Sequence, residues 1–228
     1  MHHPIGYCRE IRSDGAARSD RFPQGSLTMN LILLSHKFGK HLCDQHIVKL
    51  PLEAVQLLYT AWAVLHPDEA WREHAPYNKQ GTARGYRATH INHPWAKWVR
   101  ATMANYLFCA DYAIALCVEY TRRYGKVHAI EGHARWLRSK GPPALNVGKF
   151  WEHTPFPLCV QETSSAPVAL TLDEAIDAYR NYYVLKKADM ARYTRGRRPV
   201  WLPEAKTKQH TRDASPQRNS KKTSGKAA

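Results

Sequence analysis

Between residues 38 and 65 apolar side chains outnumber polar ones, and most residues are helix formers. The pattern predicts one long helix, kinked or split at Pro51, which has no backbone N–H to donate. Upstream, residues 30–35 (NLILLS) form a short apolar run that reads as extended or strand-like. Residues 66–93 are loop-like, with flexible, basic stretches at Asn78-Lys79-Gln80-Gly81 and Arg84-Gly85-Tyr86-Arg87. Pro94 suits the first turn of a second long helix that runs to Tyr124, where Gly125 supplies the stop. Residues 126–170 carry prolines at 142, 143, 155, 157 and 167 and one short helix around residues 129–137. Thr171 and Glu174 have the spacing of a capping box, opening a helix that reaches about residue 191. No strand-like alternation recurs and no repeat is visible. The expected class is all-α, a single domain of about four to six helices.

The first long helix has an unusual distribution of polar residues. On a wheel of about 100° per residue with His46 at the origin, Lys49 falls at about −60°, Glu53 at about −20°, Gln56 at about −80° and Thr60 at about −40°. Ile47, Val48, Leu50, Leu52, Ala54, Val55, Leu57 and Leu58 fill most of the remainder. A surface helix has a wide polar face, so this one reads as buried nearly all round with one narrow polar seam. Buried polar groups need partners, and such groups in a cleft commonly have shifted pKa values. Glu53 is a candidate acid/base or electrostatic stabiliser, Lys49 a candidate imine-forming amine, and His46 a third candidate catalytic group. The competing reading is a buried Lys49–Glu53 ion pair with His46 as a satisfied core histidine.

Charge narrows the choice of partner. The 228 residues include 34 Lys plus Arg against 19 Asp plus Glu, a net charge of +15. Residues 204–228 hold seven cations and two carboxylates, and residues 1–28 hold four and three, which leaves +9 on the middle of the chain. The expected organisation is a disordered leader (1–28), a helical domain (29–203) and a disordered basic tail (204–228). A balance this basic points to a polyanion, with nucleic acid foremost. The longest apolar run covers residues 54–65, too short to span a bilayer, and Arg9, Glu10, Arg12 and Asp14 stand where a secretion signal needs an apolar core. Five cysteines without a C-x-x-C pair argue against a disulfide framework or zinc ribbon. They favour a reducing, cytoplasmic setting with mostly buried thiols.

Further candidates lie elsewhere. Asn92 and His93, just before Pro94, either contact phosphate or bases or simply cap the helix. Trp98, Asn105, Tyr112 and Glu119 share a line at seven-residue spacing, with Trp98 and Tyr112 expected in the core. Glu119 and Arg123 read as a solvated i, i+4 pair. Arg180, Tyr183 and Lys187 share a face, and residues 192–201 interleave Arg195, Arg197 and Arg198 with Tyr193 and Trp201. Basic residues among aromatics suit phosphate contact and base stacking, or a basic face with rings packed inward. No Walker-type loop, G-x-G-x-x-G, nucleophile elbow or zinc-deaminase signature occurs.

The motif order resembles the phage-type pyrimidine-dimer DNA glycosylases, the endonuclease V family. Their N-L-x-L-x-S segment leads to a D-Q-H helix with a Glu seven residues after the His, as Asn30 to Ser35, Asp44-Gln45-His46 and Glu53 do here. A His-led helix ending in E-x-x-x-R-G is similar to His93 through Glu119 to Gly125, one residue longer here, and R-P-x-W is similar to Arg198-Pro199-Val200-Trp201. Over most of 29–203 the chain also resembles small phage proteins with a D-K-H-V-V-K-M-x-x-E helix, N-H-P-x-x-x-W-V-R and Y-R-x-Y-Y. These stand here as Asp44 to Glu53, Asn92 to Arg100, and Tyr179 to Tyr183.

The resemblance implies an all-α enzyme in which Glu53 is catalytic and an amine attacks the deoxyribose C1′. In the family that amine is the chain's N-terminus, so here Met29 is the start, processing exposes an amine, Lys49 substitutes, or the reaction is a different one. The expectation is a DNA glycosylase with possible AP-lyase activity, working as a cytoplasmic monomer on damaged or modified pyrimidines in double-stranded DNA, without cofactor, metal or membrane. Gln56, Asn92 and His93 line the site, and Arg84, Arg87, Arg100, Arg180, Lys187, Arg195, Arg197 and Arg198 hold phosphates. The alternatives are a DNA base-modification transferase acting on an unusual thymine and a non-enzymatic DNA-binding protein.

Overall fold

The computed structural model describes residues 31–35, 37–146, 152–159 and 169–204. The expected leader, the Met29 start, Asn30 and the tail beyond Glu204 lie outside the described residues. Five α-helices dominate: α1 (Asp44–Leu65), α2 (Pro94–Val99), α3 (Met103–Tyr124), α4 (Glu131–Ser139) and α5 (Leu172–Tyr182). Two-residue strands β1 (Phe156–Pro157) and β2 (Ala169–Leu170) pair antiparallel, with Phe156 opposite Leu170. The mostly helical class agrees with the all-α expectation.

Helix α1 begins at Asp44 rather than near residue 38. Gly39 adopts φ +83°, a left-handed conformation that does not continue a right-handed helix. The helix then runs through Pro51 without ending. Proline cannot serve the Ile47 carbonyl one turn back. Beside that gap, the His128 imidazole Nε2 lies 3.1 Å from the Val48 carbonyl and supplies a donor from outside the helix. Helices α2, α3 and α4 pack around α1, burying Ile47, Leu50, Leu57 and Leu58 against residues such as Phe108, Tyr112 and Leu116. By length and apolarity α1 is the one helix among the described residues that could cross a membrane, yet most of that stretch is buried inside the fold.

The expected helix from Pro94 to Tyr124 is two helices. The first ends at Val99, with Arg100 as its C-cap, and Thr102 caps the second, its Oγ1 accepting from Asn105 N–H at 3.1 Å. The buried Asn105 side chain clamps the break. Its Nδ2 donates to the Trp98 carbonyl (2.8 Å) and to Thr154 Oγ1 (2.7 Å), and its Oδ1 accepts from Thr154 N–H (3.1 Å). Trp98 and Tyr112 are core residues, as expected. Gly125 stops α3 at φ +65°, and the Thr171–Glu174 capping box opens α5. The helical run from α5 continues as a π-turn over Tyr183–Lys187 and gives way to a turn at residues 188–190, short of residue 191.

Leu31, Ile32, Leu33 and Leu34 are buried without regular secondary structure and pair with no strand among the described residues. Side chains satisfy two of their carbonyls instead. The Ile32 carbonyl accepts from Tyr112 Oη (3.1 Å), and the Leu34 carbonyl from Arg180 Nε (3.0 Å). Cys43, Cys109 and Cys117 are free and buried. Burial pushes the Cys109 and Cys117 thiols well up from their ordinary range.

Glu119 and Arg123 are not a solvated pair. The Arg123 side chain is fully buried, with Nε 2.6 Å from Glu119. Its Nη1 donates to the Leu42 carbonyl (2.9 Å) and to Asp44 (3.2 Å), and its Nη2 to the Gly39 carbonyl (3.3 Å). Gly196 packs over the guanidinium so closely that a Cβ there would sit 2.6 Å from its central carbon. The planar fork therefore ties α3 to the residues just before α1.

Candidate active site

The seam of α1 is half inside and half outside the fold. Gln45 and Val48 are exposed, and Lys49, Leu52 and Gln56 are half-buried, so these five form the solvent-facing strip. Val48 is 49% exposed and does not join the core, contrary to the nearly all-round burial expected. Neighbouring helices cover only part of the circumference, and the wheel alone could not show which part. His46, Glu53 and Thr60 line the inner edge of that strip and are buried.

At the centre, Lys49 Nζ lies 2.8 Å from Glu53 Oε1, one helical turn away. The Lys49 side chain is one-third exposed and that of Glu53 about one-tenth, so solvent reaches the pair from the lysine side. Glu53 also acts on Tyr112, whose phenol is driven well up from its ordinary range, first by burial.

His46 sits one turn before Lys49, and its Nδ1 shares a hydrogen bond with the Tyr183 hydroxyl, which also donates to Cys43 Sγ at 3.3 Å. Burial, then the charges of Lys187 and Lys49, lower the His46 pKa to about 4. The imidazole is therefore neutral near pH 7, with one ring nitrogen a donor and the other an acceptor. Tyr183 is fully buried, its phenol pushed far up by desolvation, and its oxygen accepts from Cys43 N–H at 3.3 Å. The π-turn at Tyr183–Lys187 thus brings a buried hydroxyl and the Lys187 charge to the head of the seam. Further along, Thr60 Oγ1 accepts from Thr89 N–H (3.1 Å) and lies 2.8 Å from the Gln56 carbonyl, which fixes the chain leading to α2.

His93 and Asn92 stand at the entry to α2. His93 Nδ1 accepts from Trp95 N–H at 3.2 Å, which is the capping role. Its pKa is lowered to about 4, mainly by burial and secondly by His90. Asn92 is exposed on the preceding turn.

The expected phosphate ligands divide by how their donors are used. Arg198 donates to the carbonyls of Ala191 (3.1 Å), Leu202 (3.3 Å) and Pro203. Arg84 donates to the Ala75 carbonyl (2.9 Å) and stacks 4.0 Å over the Tyr77 ring. Arg180 holds the Leu34 carbonyl and faces Trp201. These three brace loops. Arg87, Arg195 and Arg197 are exposed, and Lys187 is half-buried beside Tyr182. Arg100 is half-buried, and its Nη1 has no hydrogen-bond partner among the described residues. The loops called flexible above are laced down: Arg72 donates to the Tyr86 carbonyl (3.1 Å), and Gly85 packs on Tyr59.

Sequence reasoning missed Arg123, Tyr183 and the Tyr59–His133 hydrogen bond (2.7 Å) as organising contacts. Each joins residues far apart in the chain, and no local spacing signals them. Among the described residues no group of three or more His, Cys, Asp or Glu is placed to hold a metal ion. No protein-family model, curated protein or solved structure matches this chain.

Proposed function

We propose that this protein acts on bases in DNA, as a glycosylase for damaged or modified pyrimidines, with Glu53 as its central carboxylate. The observation that carries the reading is the Lys49–Glu53 pair itself. A carboxylate about one-tenth exposed is held 2.8 Å from an ammonium that solvent can reach, on the principal core helix of a chain with net charge +15. The motif order shared with the endonuclease V family supports it.

In this reading the extruded nucleotide approaches from the Lys49 side. As the glycosidic bond lengthens, the Glu53 carboxylate stabilises the positive charge growing on the sugar. Lys49 is an ammonium while it is paired. It becomes a nucleophile only by passing a proton to Glu53, which is then a neutral acid that no longer stabilises a sugar cation. Glu53 instead returns that proton to the departing base as the Lys49 nitrogen bonds to C1′ and the bond from C1′ to the base breaks. Without that transfer, water adds at C1′ and the enzyme is monofunctional. Neutral His46, one turn before Lys49 and held by the Tyr183 hydroxyl, adds no charge to the site. Arg87, Arg100, Lys187, Arg195 and Arg197 contact the phosphates, while Arg84, Arg180 and Arg198 brace the loops that carry them.

A purely structural ion pair is the second reading, favoured by the mutual satisfaction of Lys49 and Glu53. Borohydride trapping separates the two. The full chain is mixed, with EDTA, with duplexes bearing thymine dimers, modified thymines or abasic sites. A covalent adduct mapped to Lys49 or to an N-terminal amine supports the imine route, and base release without an adduct supports hydrolysis. DNA binding with neither, unchanged in Glu53→Gln, overturns the enzyme reading.

A further inference from the structure

A second cleft lies away from α1. Its volume is about 960 Å³ and no residue of α1 lines it, a size within the range of small-ligand sites. One wall is the turn carrying Lys37, Phe38, Lys40 and His41. The other is Arg197–Val200, and the floor is the outer face of α3 at Val118, Glu119 and Arg122. Five cations face one carboxylate, and that carboxylate is already engaged. Glu119 pairs with Arg122 (2.7 Å) and Arg123 (2.6 Å), and these contacts lower its pKa against the opposing effect of burial. Lys37, Lys40 and Arg197 are exposed and have no acidic partner among the described residues.

Apolar surface stands beside these charges. Val118 is 52% exposed and Val200 98%, and the half-buried Phe38 ring is fixed edge-on against Phe108 and Tyr112 at 4.9 and 5.3 Å between centroids. Both walls are held in place from behind. Arg123 grips the Gly39 and Leu42 carbonyls, Arg198 grips those of Ala191, Leu202 and Pro203, and Trp201 Nε1 reaches His41 Nδ1 at 3.4 Å. Buried or braced guanidiniums thus shape the walls, while three other cations remain open to a ligand.

We propose that this cleft binds one nucleotide unit, its phosphate on Lys37, Lys40 and Arg197 and its base against Phe38, Val118 and Val200. A bare inorganic anion would leave the apolar wall unused, and an uncharged aromatic would leave the cations unused. The shared chemistry, a phosphoryl group carrying a flat base, is found both in a free nucleoside phosphate and in a nucleotide of a single strand. The proposal shares Arg197 with the phosphate contacts of the base-excision reading, but none of its residues belongs to the Lys49–Glu53 pair, and Lys40→Ala and Val118→Asp touch this cleft alone.

Titration calorimetry of the full chain with thymidine 5′-monophosphate, thymidine, inorganic phosphate and a short oligothymidylate tests it. Saturable binding of the monophosphate or the oligonucleotide is expected. Arg197→Ala and Lys40→Ala should each weaken it about tenfold, as expected for losing one charge-assisted contact. Val118→Asp should weaken it as well, and thymidine and phosphate alone should bind more weakly than either ligand. Binding of the monophosphate identifies a free nucleotide as a ligand, and binding of the oligonucleotide alone identifies a strand. The Glu53→Gln variant should bind unchanged, which keeps this test separate from that of the base-excision reading. Absence of binding by both, or binding indifferent to Arg197→Ala, Lys40→Ala and Val118→Asp, overturns the proposal. All three positions are exposed, so the variants are expected to fold, and circular dichroism checks that they do.

Discussion

Lys49 Nζ and Glu53 Oε1 lie 2.8 Å apart on α1, with the lysine one-third exposed and the carboxylate nearly covered. Removing the lysine leaves a mostly buried carboxylate without its ammonium. Breaking a fully buried pair costs about 3–5 kcal/mol, and solvent access reduces that here. Lys49→Met should therefore lower stability by about 1–2 kcal/mol, read from the urea midpoint. An unchanged midpoint would show that the pair contributes nothing to folding.

Arg123 should be the least replaceable cation among the described residues. Its removal takes a buried donor from the Gly39 and Leu42 carbonyls and leaves Asp44 with Thr194 and Glu119 with Arg122. Arg123→Met is expected to cost about 3–5 kcal/mol. Arg123→Lys should restore only part of that, since an ammonium cannot reproduce the planar fork. Chemical unfolding of the three proteins checks the order, and equal stability of wild type and Arg123→Lys would contradict it.

Stability should fall on mild acidification. His46 has a pKa of about 4 in the folded protein against 6.5 for the free side chain. Above 6.5 both states are neutral and the contribution is complete. Below it the unfolded chain takes up a proton that the folded one refuses until about 4, so stability is lost through that window. The loss is up to about 1.4 kcal/mol per pH unit for one histidine. His93, lowered to a similar value, acts in the same direction. Unfolding free energies measured from about pH 7 to about pH 4.5 should decline, and His46→Gln should flatten part of the slope.

Gly85 is fixed by both its backbone and its surroundings. At φ +63°, a Cβ would lie 2.9 Å from the Tyr59 ring. Gly85→Ala should destabilise by about 1–3 kcal/mol, visible as a lower melting temperature. Gly81, also at positive φ but open to solvent, should lose less as Gly81→Ala.

The sequence by itself determined the helical class, the Gly125 stop, the Thr171–Glu174 capping box and the His46–Lys49–Glu53 seam. All four depend on spacing within a turn or two, where local geometry governs. The break between α2 and α3 is not legible in the sequence because it is held by Asn105 reaching Thr154, a residue remote in the chain. Tertiary structure alone decided that Val48 faces solvent while Glu53 does not, because packed neighbours set which side of a helix is covered. It also decided that Arg123 is buried and Arg198 is occupied by carbonyls, while Lys40 and Arg197 remain open. A cation's residue type fixes its charge, but whether its donors are spent on the protein or left for a ligand depends on which carbonyls and carboxylates the fold brings within about 3 Å.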